Sequence, residues 1–319
     1  MSDFAIETDR LTRYFGQRAA VLDVSMRVPR GCVFALLGRN GSGKSTTLRM
    51  LLGLLAPTRG SARVLEFDST ELPPEARARI GYMAEGHPLI PWMRLGDLEK
   101  FQRDSFPRWN ARIFAQILAH FRLHPGTKAS DISRGERAGV SLALTLAPEP
   151  ELILLDEPAL GLDPIARRGL LEVIVQLTRD RTRTIVFSSH LLADVERVAD
   201  QIAILDGSVL RAQCPIETFR QKVVRYALRF ASPRAIPDLP AIPGLLRAVH
   251  DHEELRLTVV NGNAATQAML ASLQADEFEE LPLDLEEAFL DYLDGRGEMR
   301  PTFQLPEHES RPFAPGKLR

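Results

Sequence analysis

This sequence contains few cysteines and no long apolar runs. Its 319 residues include only two cysteines, Cys32 and Cys214, which is too few for a disulfide framework and is typical of a reducing compartment. No apolar run approaches the roughly 20 residues of a membrane-spanning helix, and the N-terminus lacks the charged and then apolar pattern of a signal peptide. The sequence therefore predicts a cytosolic protein that would need another chain to span a membrane.

An excess of charge of either sign is also missing. Lys and Arg number 40, Asp and Glu number 42, and the net charge is only −2. This balance gives no electrostatic reason to expect nucleic acid or an acidic membrane surface as a partner. With 45% hydrophobic and 26% charged residues, the composition is that of a soluble globular protein, and the length predicts about two domains.

A glycine-rich segment lies between a strand-like and a helix-like stretch. Residues 32–37 are continuously apolar, and residues 47–52 have the apolar spacing of a helix. The segment between them fits the phosphate-binding pattern G-x-x-x-x-G-K-[ST], and its residues are Gly38, Arg39, Asn40, Gly41, Ser42, Gly43, Lys44, Ser45 and Thr46. Such a loop presents backbone N–H groups to phosphates, Lys44 adds a positive charge for the β- and γ-phosphates, and the Ser45 hydroxyl is a candidate Mg²⁺ ligand.

Two carboxylates follow a second apolar stretch. Residues 152–155 are all apolar, and Asp156 and Glu157 come directly after them. A carboxylate at the C-terminal end of a strand, beside a phosphate loop, is placed to hold Mg²⁺, so Asp156 is a candidate metal ligand. Glu157 is a candidate acceptor for a proton from water. A third apolar stretch ends in His190, although a lone histidine there is most often structural.

Two further patterns each allow two interpretations. Tyr14 and Phe15 lie upstream of the phosphate loop, where an aromatic ring could stack on adenine or could be an ordinary half-buried strand residue. Ser133, with Glu136 three residues later and spaced apolar residues beyond, is a capping-box pattern at a helix start. A second phosphate-binding helix N-terminus is the alternative, but the pattern by itself favours a capped helix.

The composition changes after about residue 220. Prolines cluster between residues 233 and 243, and the pattern that follows predicts a strand over 255–260 and helices over 264–273 and 284–293. We interpret residues 221–294 as a small α+β accessory module. Residues 295–319 are rich in charged residues, Pro and Gly, and this composition predicts a disordered tail.

In order and spacing, these motifs resemble those of an ABC transporter ATP-binding subunit with a single nucleotide-binding domain, over roughly residues 4–220. By this resemblance, residues 38–46 correspond to the Walker A motif and residues 152–156 to Walker B. The remaining correspondences are Glu157 as the catalytic glutamate, His190 as the switch histidine, Asp163 as the D-loop aspartate, and Phe15, directly before Gly16, as the adenine-stacking aromatic.

The sequence departs from this family at two places. The signature usually reads Leu-Ser-Gly-Gly-Gln, whereas here Ile132 is followed by Ser133, Arg134, Gly135 and Glu136. The serine and the second glycine, which the family places on the partner subunit's γ-phosphate, remain. Glu136 instead of glutamine puts a negative charge near phosphates and leaves the hydrolysis rate open. Glu85 stands where the family usually has a glutamine, and its carboxylate can still bind Mg²⁺ or its water.

The resemblance implies an α/β fold of the P-loop NTPase type, with a mixed central sheet and an inserted helical subdomain. The corresponding domains are residues 1–220 for ATP binding, with the helical subdomain at about 86–150, followed by the accessory module. It also implies Mg-ATP as the ligand pair, a homodimer with two head-to-tail ATP sites, and a separate integral membrane permease docked against residues between 85 and 98. The chain would then lie at the cytoplasmic face of the inner or plasma membrane.

The sequence leaves alternatives open for the direction of transport and for the class of function. The Ser-Arg-Gly signature and the C-terminal module resemble the exporting branch of the family, so we expect an ATPase that powers an exporter. One alternative is a soluble ABC ATPase that acts on the ribosome or nucleic acid, although such proteins usually carry two ATPase units or a long coiled-coil insertion. The other is a regulatory nucleotide-binding protein that hydrolyses ATP weakly.

Overall fold

The computed structural model describes residues 2–178, 181–232, 239 and 241–294. The chain divides into two compact units, Met1–Leu210 and Arg211–Arg319. The tail predicted to be disordered, residues 295–319, lies outside the described residues. None of the helices in the described part of the chain is long and apolar enough to cross a lipid bilayer.

The first unit is built from two sheets with helices around them. Its strands are β1 (Phe4–Phe15), β2 (Arg18–Val24), β3 (Arg27–Pro29), β4 (Val33–Leu37), β5 (Arg59–Val64), β6 (Phe67–Asp68), β7 (Ile80–Met83), β8 (Leu152–Leu155), β9 (Thr184–Ser189) and β10 (Gln201–Asp206). Its helices are α1 (Lys44–Leu51), α2 (Pro74–Arg77), α3 (Leu95–Arg103), α4 (Ala111–His120), α5 (Arg134–Leu146), α6 (Pro164–Thr178) and α7 (Leu192–Val198). Strand β11 (Val209–Pro215) carries the chain past the boundary between the units.

The two sheets of this unit differ in strand direction. The N-terminal sheet is antiparallel, with the order β2-β1-β5-β6 and β3 paired to β1. In the second sheet, β10-β4-β9-β8-β7 run parallel to their neighbours. Strands β4 and β8 are buried along their whole length, as expected for parallel strands covered on both faces. A core that includes Phe34, Leu48 and Leu154 fills the space around them.

The parallel arrangement determines where the candidate site lies. In the ladder, Leu37 is opposite Ser189 and Leu155 is opposite Phe187, so β4, β8 and β9 end at the same edge of the sheet. The phosphate loop, the two carboxylates and His190 are the first residues beyond these three ends. Because ligands of open α/β sheets bind outside the carboxyl ends of the strands, this edge is the expected location of a site.

The second unit contains an antiparallel sheet of order β13-β14-β12-β15. Its elements are α8 (Ile216–Lys222), β12 (Val223–Arg229), β13 (Leu245–Asp251), β14 (Glu254–Val260), α9 (Ala264–Ala271), β15 (Glu277–Leu281) and α10 (Leu285–Asp294). A core of Tyr226, Leu257, Leu270 and their neighbours packs on the sheet. The buried carboxylate of Asp291 accepts hydrogen bonds from Arg225, Arg247 and Thr258. We expected β14, α9 and α10 from the sequence, but not the other three strands or α8.

The two cysteines of the chain are buried free thiols. Burial raises the pKa of both Cys32 and Cys214 to about 12. Because the thiolate is the reactive form, both residues behave as small apolar side chains.

Candidate nucleotide-binding and catalytic site

The loop between β4 and α1 has a backbone that only glycine adopts easily. Gly38 and Gly43 have φ angles of 158° and 108°, and a Cβ atom on Gly43 would collide with the carbonyl oxygen of Ala20. Lys44 Nζ donates to the carbonyl oxygen of Gly38 at 2.8 Å and is almost fully buried. The lysine side chain therefore wraps back over its own loop, as a phosphate cradle requires.

A serine from each neighbouring element holds the carboxylate of Asp156. Ser45 Oγ, in the first turn of α1, donates to Asp156 Oδ1 at 2.8 Å. Ser188 Oγ, near the end of β9, donates to the same oxygen at 2.9 Å and accepts from the backbone N–H of Glu157 at 2.8 Å. Asp156 is thus oriented from two sides by residues of the same sheet edge.

The carboxylate of Glu157 lies between two nitrogen groups. Its Oε1 is 3.0 Å from Lys44 Nζ, and its Oε2 is 2.8 Å from His190 Nδ1. Glu157 has a φ angle of 46°, in the left-handed region, which costs a non-glycine residue about 1–3 kcal/mol. The residue that the sequence predicts as the proton acceptor is therefore among the non-glycine residues held in a strained backbone conformation, which is common at functional sites.

An open cavity of about 430 Å³ is lined by part of this set. Lys44, Ser45 and Glu157 line it, whereas Asp156 and His190 are not among its lining residues, and Phe15, which is 52% exposed, lines it at the end of β1. Its other lining residues are Arg18, Ala20, Asn40, Gly41, Gly43, Thr46, Glu85 and Leu160. Tyr14 is not among them. A guanidinium group lies over each of the two aromatic rings, that of Arg13 at 4.9 Å from the Phe15 centroid and that of Arg59 at 5.9 Å from the Tyr14 centroid. The lining combines an aromatic ring with glycine, hydroxyl and charged groups, a mixture that suits a nucleotide.

Two titratable side chains close to this edge are perturbed. Burial, with the negative charge of Asp156 as a second cause, raises the pKa of Tyr82. Burial also lowers the pKa of His87, in the turn that follows Glu85. This shift in the pKa of His87 favours its neutral form.

The residues Ser133, Arg134, Gly135 and Glu136 form the start of α5. The capping box predicted from the sequence is present, since Glu136 N donates to Ser133 Oγ at 3.2 Å and Ser133 N donates to Glu136 Oε2 at 2.7 Å. Among the residues that the structure describes, none of these four lines the cavity. The carboxylate of Glu136 is bound to its own helix start, so its negative charge faces the positive end of the helix dipole.

The start of α6 packs against the start of α5. Asp163 Oδ1 accepts from the N–H groups of Ile165 and Ala166 at 2.9 and 3.0 Å and so caps α6. A Cβ atom on Gly135 would lie 2.7 Å from Cβ of Ala166 and 3.5 Å from Asp163 Oδ2. Glycine at 135 therefore permits a contact between the two helix starts that no larger residue allows.

The sequence predicts three metal ligands, Ser45, Asp156 and Glu85. Their surroundings in the structure indicate whether they fit a metal ion. Asp156 Oδ2 is buried and accepts no hydrogen bond from any described residue, which is costly for a carboxylate oxygen that no cation approaches. Glu85 lines the same cavity as Ser45. One or two carboxylates, a hydroxyl and phosphate oxygens are what Mg²⁺ prefers, so this donor set fits Mg²⁺.

The structure adds one residue that we did not single out from the sequence. Ser188 contacts both carboxylate residues, through the side chain of Asp156 and the backbone of Glu157. The only signal for it is the pairing of β8 with β9, which brings the ends of these parallel strands together and which no single stretch of sequence contains. Arg18 and Leu160 also line the cavity, but nothing in their sequence context distinguished them.

Known proteins are similar to this chain in both sequence and fold. A family model described as ABC transporter matches residues 21–160. The ABC transporter ATP-binding protein YtrB of Bacillus subtilis (strain 168) is 27% identical over 91% of this chain and 99% of its own length. The lipopolysaccharide export system ATP-binding protein LptB of Acidithiobacillus ferridurans is 34% identical over 69% of this chain and 94% of its own length.

Solved structures extend this likeness to the fold. An ATP-binding subunit of an ABC transporter, 28% identical, has a TM-score of 0.62 and covers 68% of this chain and 92% of its own. The dimeric ATP-binding cassette MJ0796, in a post-hydrolysis state bound to ADP and Pi, is 21% identical, with a TM-score of 0.59 over 66% of this chain and 98% of its own. The predicted α/β fold of the P-loop NTPase type is confirmed.

Proposed function

This chain belongs to the ABC transporter family, and from that premise we propose that its ATPase activity powers a separate membrane permease that exports a substrate. The observation that carries the proposal is the convergence of Lys44, Asp156, Glu157 and His190 at one edge of the parallel sheet. This set supplies a phosphate-binding cation, a metal ligand, a base and a group that orients the base.

We propose that ATP lies along the cavity from Phe15 to Glu157. The Phe15 ring would stack on adenine, since it is exposed and lines the cavity. Residues Gly38 to Thr46 would bind the phosphates through backbone N–H groups, with Lys44 between the β- and γ-phosphates. The ion pair of Lys44 with Glu157 would then open, because the γ-phosphate competes for the same ammonium group.

Ser45, Asp156 and Glu85 would hold Mg²⁺ in this complex. When bound, the ion neutralises charge on the β- and γ-phosphates and lowers the barrier to attack. Asp156 suits this role because Ser45 and Ser188 fix one of its oxygens and leave Oδ2 buried without a donor.

Glu157 would act as the general base in hydrolysis. It accepts a proton from water while the water oxygen bonds to the γ-phosphorus, and the bond from that phosphorus to the bridging oxygen breaks, leaving its electrons on ADP. His190, in contact with Glu157 Oε2 at 2.8 Å, would hold the carboxylate in the direction of the water. The contacts of Glu157 with Lys44 and His190 support both roles.

The second half of each site would come from another copy of the chain. Ser133, Arg134, Gly135 and Glu136 lie outside the cavity, although they form a helix start suited to an anion. In a head-to-tail homodimer they would contact the γ-phosphate held by the partner subunit, and Asp163 would lie at the same interface. The dimeric state of the solved cassette MJ0796 supports this arrangement.

The permease would dock on the helical part of the first unit, at the cytoplasmic face of the membrane. Trp92 lies between residues 85 and 98 and is 77% exposed, and Phe101 on α3 is 60% exposed. Exposed aromatic side chains of this kind mark protein interaction surfaces. That LptB is named for an export system supports export as the direction of transport.

The test is a reconstitution of this chain with the product of the neighbouring gene, if that gene encodes a membrane protein. We expect ATP hydrolysis to be stimulated in vesicles that carry the permease, and Trp92→Ala to lose stimulation while its basal hydrolysis is unchanged. Unchanged hydrolysis with the permease, combined with sedimentation of the chain on ribosomes or nucleic acid, would favour the soluble alternative instead.

A further inference from the structure

A partly buried ion pair connects α6 with α7, the helix that follows His190. Arg167 Nε lies 2.6 Å from Asp194 Oδ1, and the side chain of Asp194 is only 4% exposed. Asp194 Oδ2 accepts no hydrogen bond from any residue that the structure describes. A carboxylate buried in this way depends strongly on its one charge partner, so α7 is held to the position of Arg167.

From Asp194, hydrogen bonds continue to the turn that carries His190. Asp194 N donates to the carbonyl oxygen of Leu191 at 3.3 Å. Leu191 N donates to Ser189 Oγ at 2.9 Å, and Ser189 Oγ donates back to Leu191 at 3.3 Å. His190 is therefore enclosed between two residues that are bonded to each other, and its Nδ1 reaches Glu157 at 2.8 Å.

In the other direction, Arg167 is tied to the capped start of α6. Arg167 N donates to the carbonyl oxygen of Asp163 at 3.0 Å, and Asp163 caps the helix as described above. Ala166, next to Arg167, is the residue that Gly135 of α5 approaches closely. Arg167 therefore directly follows the residue at which the two helix starts come into close contact.

We propose that Arg167 and Asp194 are a pair of positioning residues that fix His190 against Glu157. The pair makes the place of His190 depend on the starts of α5 and α6. The inference rests on the proposed role of His190 in hydrolysis and goes beyond it, because it assigns the control of His190 to Arg167 and Asp194, which lie 23 positions before and 4 positions after the histidine in the chain.

The experiment is a double-mutant cycle between Arg167 and His190. We would measure kcat and KM for ATP in Arg167→Gln, His190→Ala and the combined variant, with Kd for Mg-ATP by calorimetry. Arg167→Gln should lower kcat about ten- to a hundredfold, because small misplacements of a catalytic group have effects of this size, with Kd within about twofold of wild type. Arg167→Lys should restore part of the lost kcat, because it keeps the charge.

The variant that combines Arg167→Gln with His190→Ala is the decisive test of the inference. In the His190→Ala protein, the additional Arg167→Gln change should alter kcat by less than about twofold, since no imidazole remains to be positioned. The matched control is Arg168→Gln, which removes an exposed pair with Glu172 at 2.9 Å on the same helix and should keep the wild-type kcat.

Equal losses of kcat from Arg167→Gln in both backgrounds would overturn the inference, and so would a wild-type kcat in that variant. If His190→Ala alone keeps the wild-type kcat, the proposed role of His190 fails and the inference fails with it. This outcome is distinguishable from the other two, because it is measured in the single His190→Ala variant. Where Arg167→Gln does not fold, the same cycle is run with Arg167→Gln/Asp194→Asn, which removes both charges together and leaves no buried carboxylate unpaired.

Discussion

Lys44 Nζ and Glu157 Oε1 are 3.0 Å apart, so the cation of the phosphate loop and the carboxylate beyond β8 form an ion pair across the floor of the cavity. Both side chains are less than one-tenth exposed, and the pair is therefore shielded from salt. In the proposed complex, a nucleotide would exchange one anionic partner of Lys44 for another. ATP binding and the release of Glu157 to act as the base would then be linked through a single ammonium group.

Glu157→Gln should separate these two effects. General-base help is worth about 10²–10⁴ in rate, so kcat should fall by that factor. Mg-ATP should bind at least as tightly as to wild type, because the neutral amide no longer competes with phosphate for Lys44. Single-turnover hydrolysis and calorimetry measure the two quantities. Hydrolysis within about tenfold of wild type would assign the base to another residue, with Glu85 and then Glu136 as the next candidates.

Lys44→Ala should abolish nucleotide binding, because the loop then loses the charge that contacts the β- and γ-phosphates. Lys100→Ala, on the exposed face of α3, is the matched control and should bind normally. Calorimetric titration with Mg-ATP measures both. An undiminished affinity in Lys44→Ala would remove the basis of the ATP site proposed here.

Phe15→Ala and Tyr14→Ala distinguish the two candidate aromatic residues. Stacking of a base on an aromatic ring is worth about 1–3 kcal/mol, so Phe15→Ala should weaken ATP binding about five- to a hundredfold. Tyr14→Ala should have little effect, because Tyr14 does not line the cavity. The reverse result in a binding titration would identify Tyr14 as the stacking residue.

Dimer formation should depend on Mg-ATP and on Ser133. The Glu157→Gln protein retains ATP, so it should form a dimer in saturating Mg-ATP, measured by light scattering. Adding Ser133→Glu should prevent this, because a carboxylate would then face the partner subunit's γ-phosphate. A monomer in both proteins would contradict the head-to-tail arrangement, unless a different ATP-binding chain is the natural partner, which addition of that chain would reveal.

Acid should weaken the second unit through Asp291. Burial acts to raise the pKa of Asp291, but the hydrogen bonds donated by Thr258, Arg247 and Arg225 outweigh it and hold that pKa below its ordinary value. The stabilisation is therefore present above the ordinary aspartate pKa of about 4 and is lost as the pH falls through the lowered value. Thermal unfolding between pH 7 and pH 3 measures the slope, and Asp291→Asn should flatten it while lowering stability at pH 7. An unchanged slope in Asp291→Asn would assign the acid sensitivity to other carboxylates.

Much of the site was predictable because its chemistry is local in the sequence. The phosphate loop, Asp156 with Glu157, and the capping box at Ser133 each occupy a few consecutive positions, and periodicity indicated the flanking elements. Their meeting at one edge follows from the parallel order of β4, β8 and β9. Ser188 was missed because its role depends on the register between β8 and β9, which no single stretch of sequence contains.

The second unit was harder to predict for a different reason. Strand β15 has the sequence Glu277-Phe278-Glu279-Glu280-Leu281 and is almost wholly exposed, so it lacks the alternation that marks a strand. It forms because β12 offers it a complete antiparallel partner, with Arg229 opposite Glu277. Pairing between distant segments outweighs weak local preference here.

The capping box at the start of α5 also has a consequence for how this signature can change in evolution. The carboxylate of Glu136 is bonded to the backbone of Ser133, and a glutamine side chain closes such a box equally well. Codons for Glu and Gln differ at a single base, so a lineage can pass between the two residues in one mutational step and keep the helix start intact throughout. An exchange between Glu and Gln at this position therefore has little effect on the fold, and any selection on it acts through the interaction with the nucleotide.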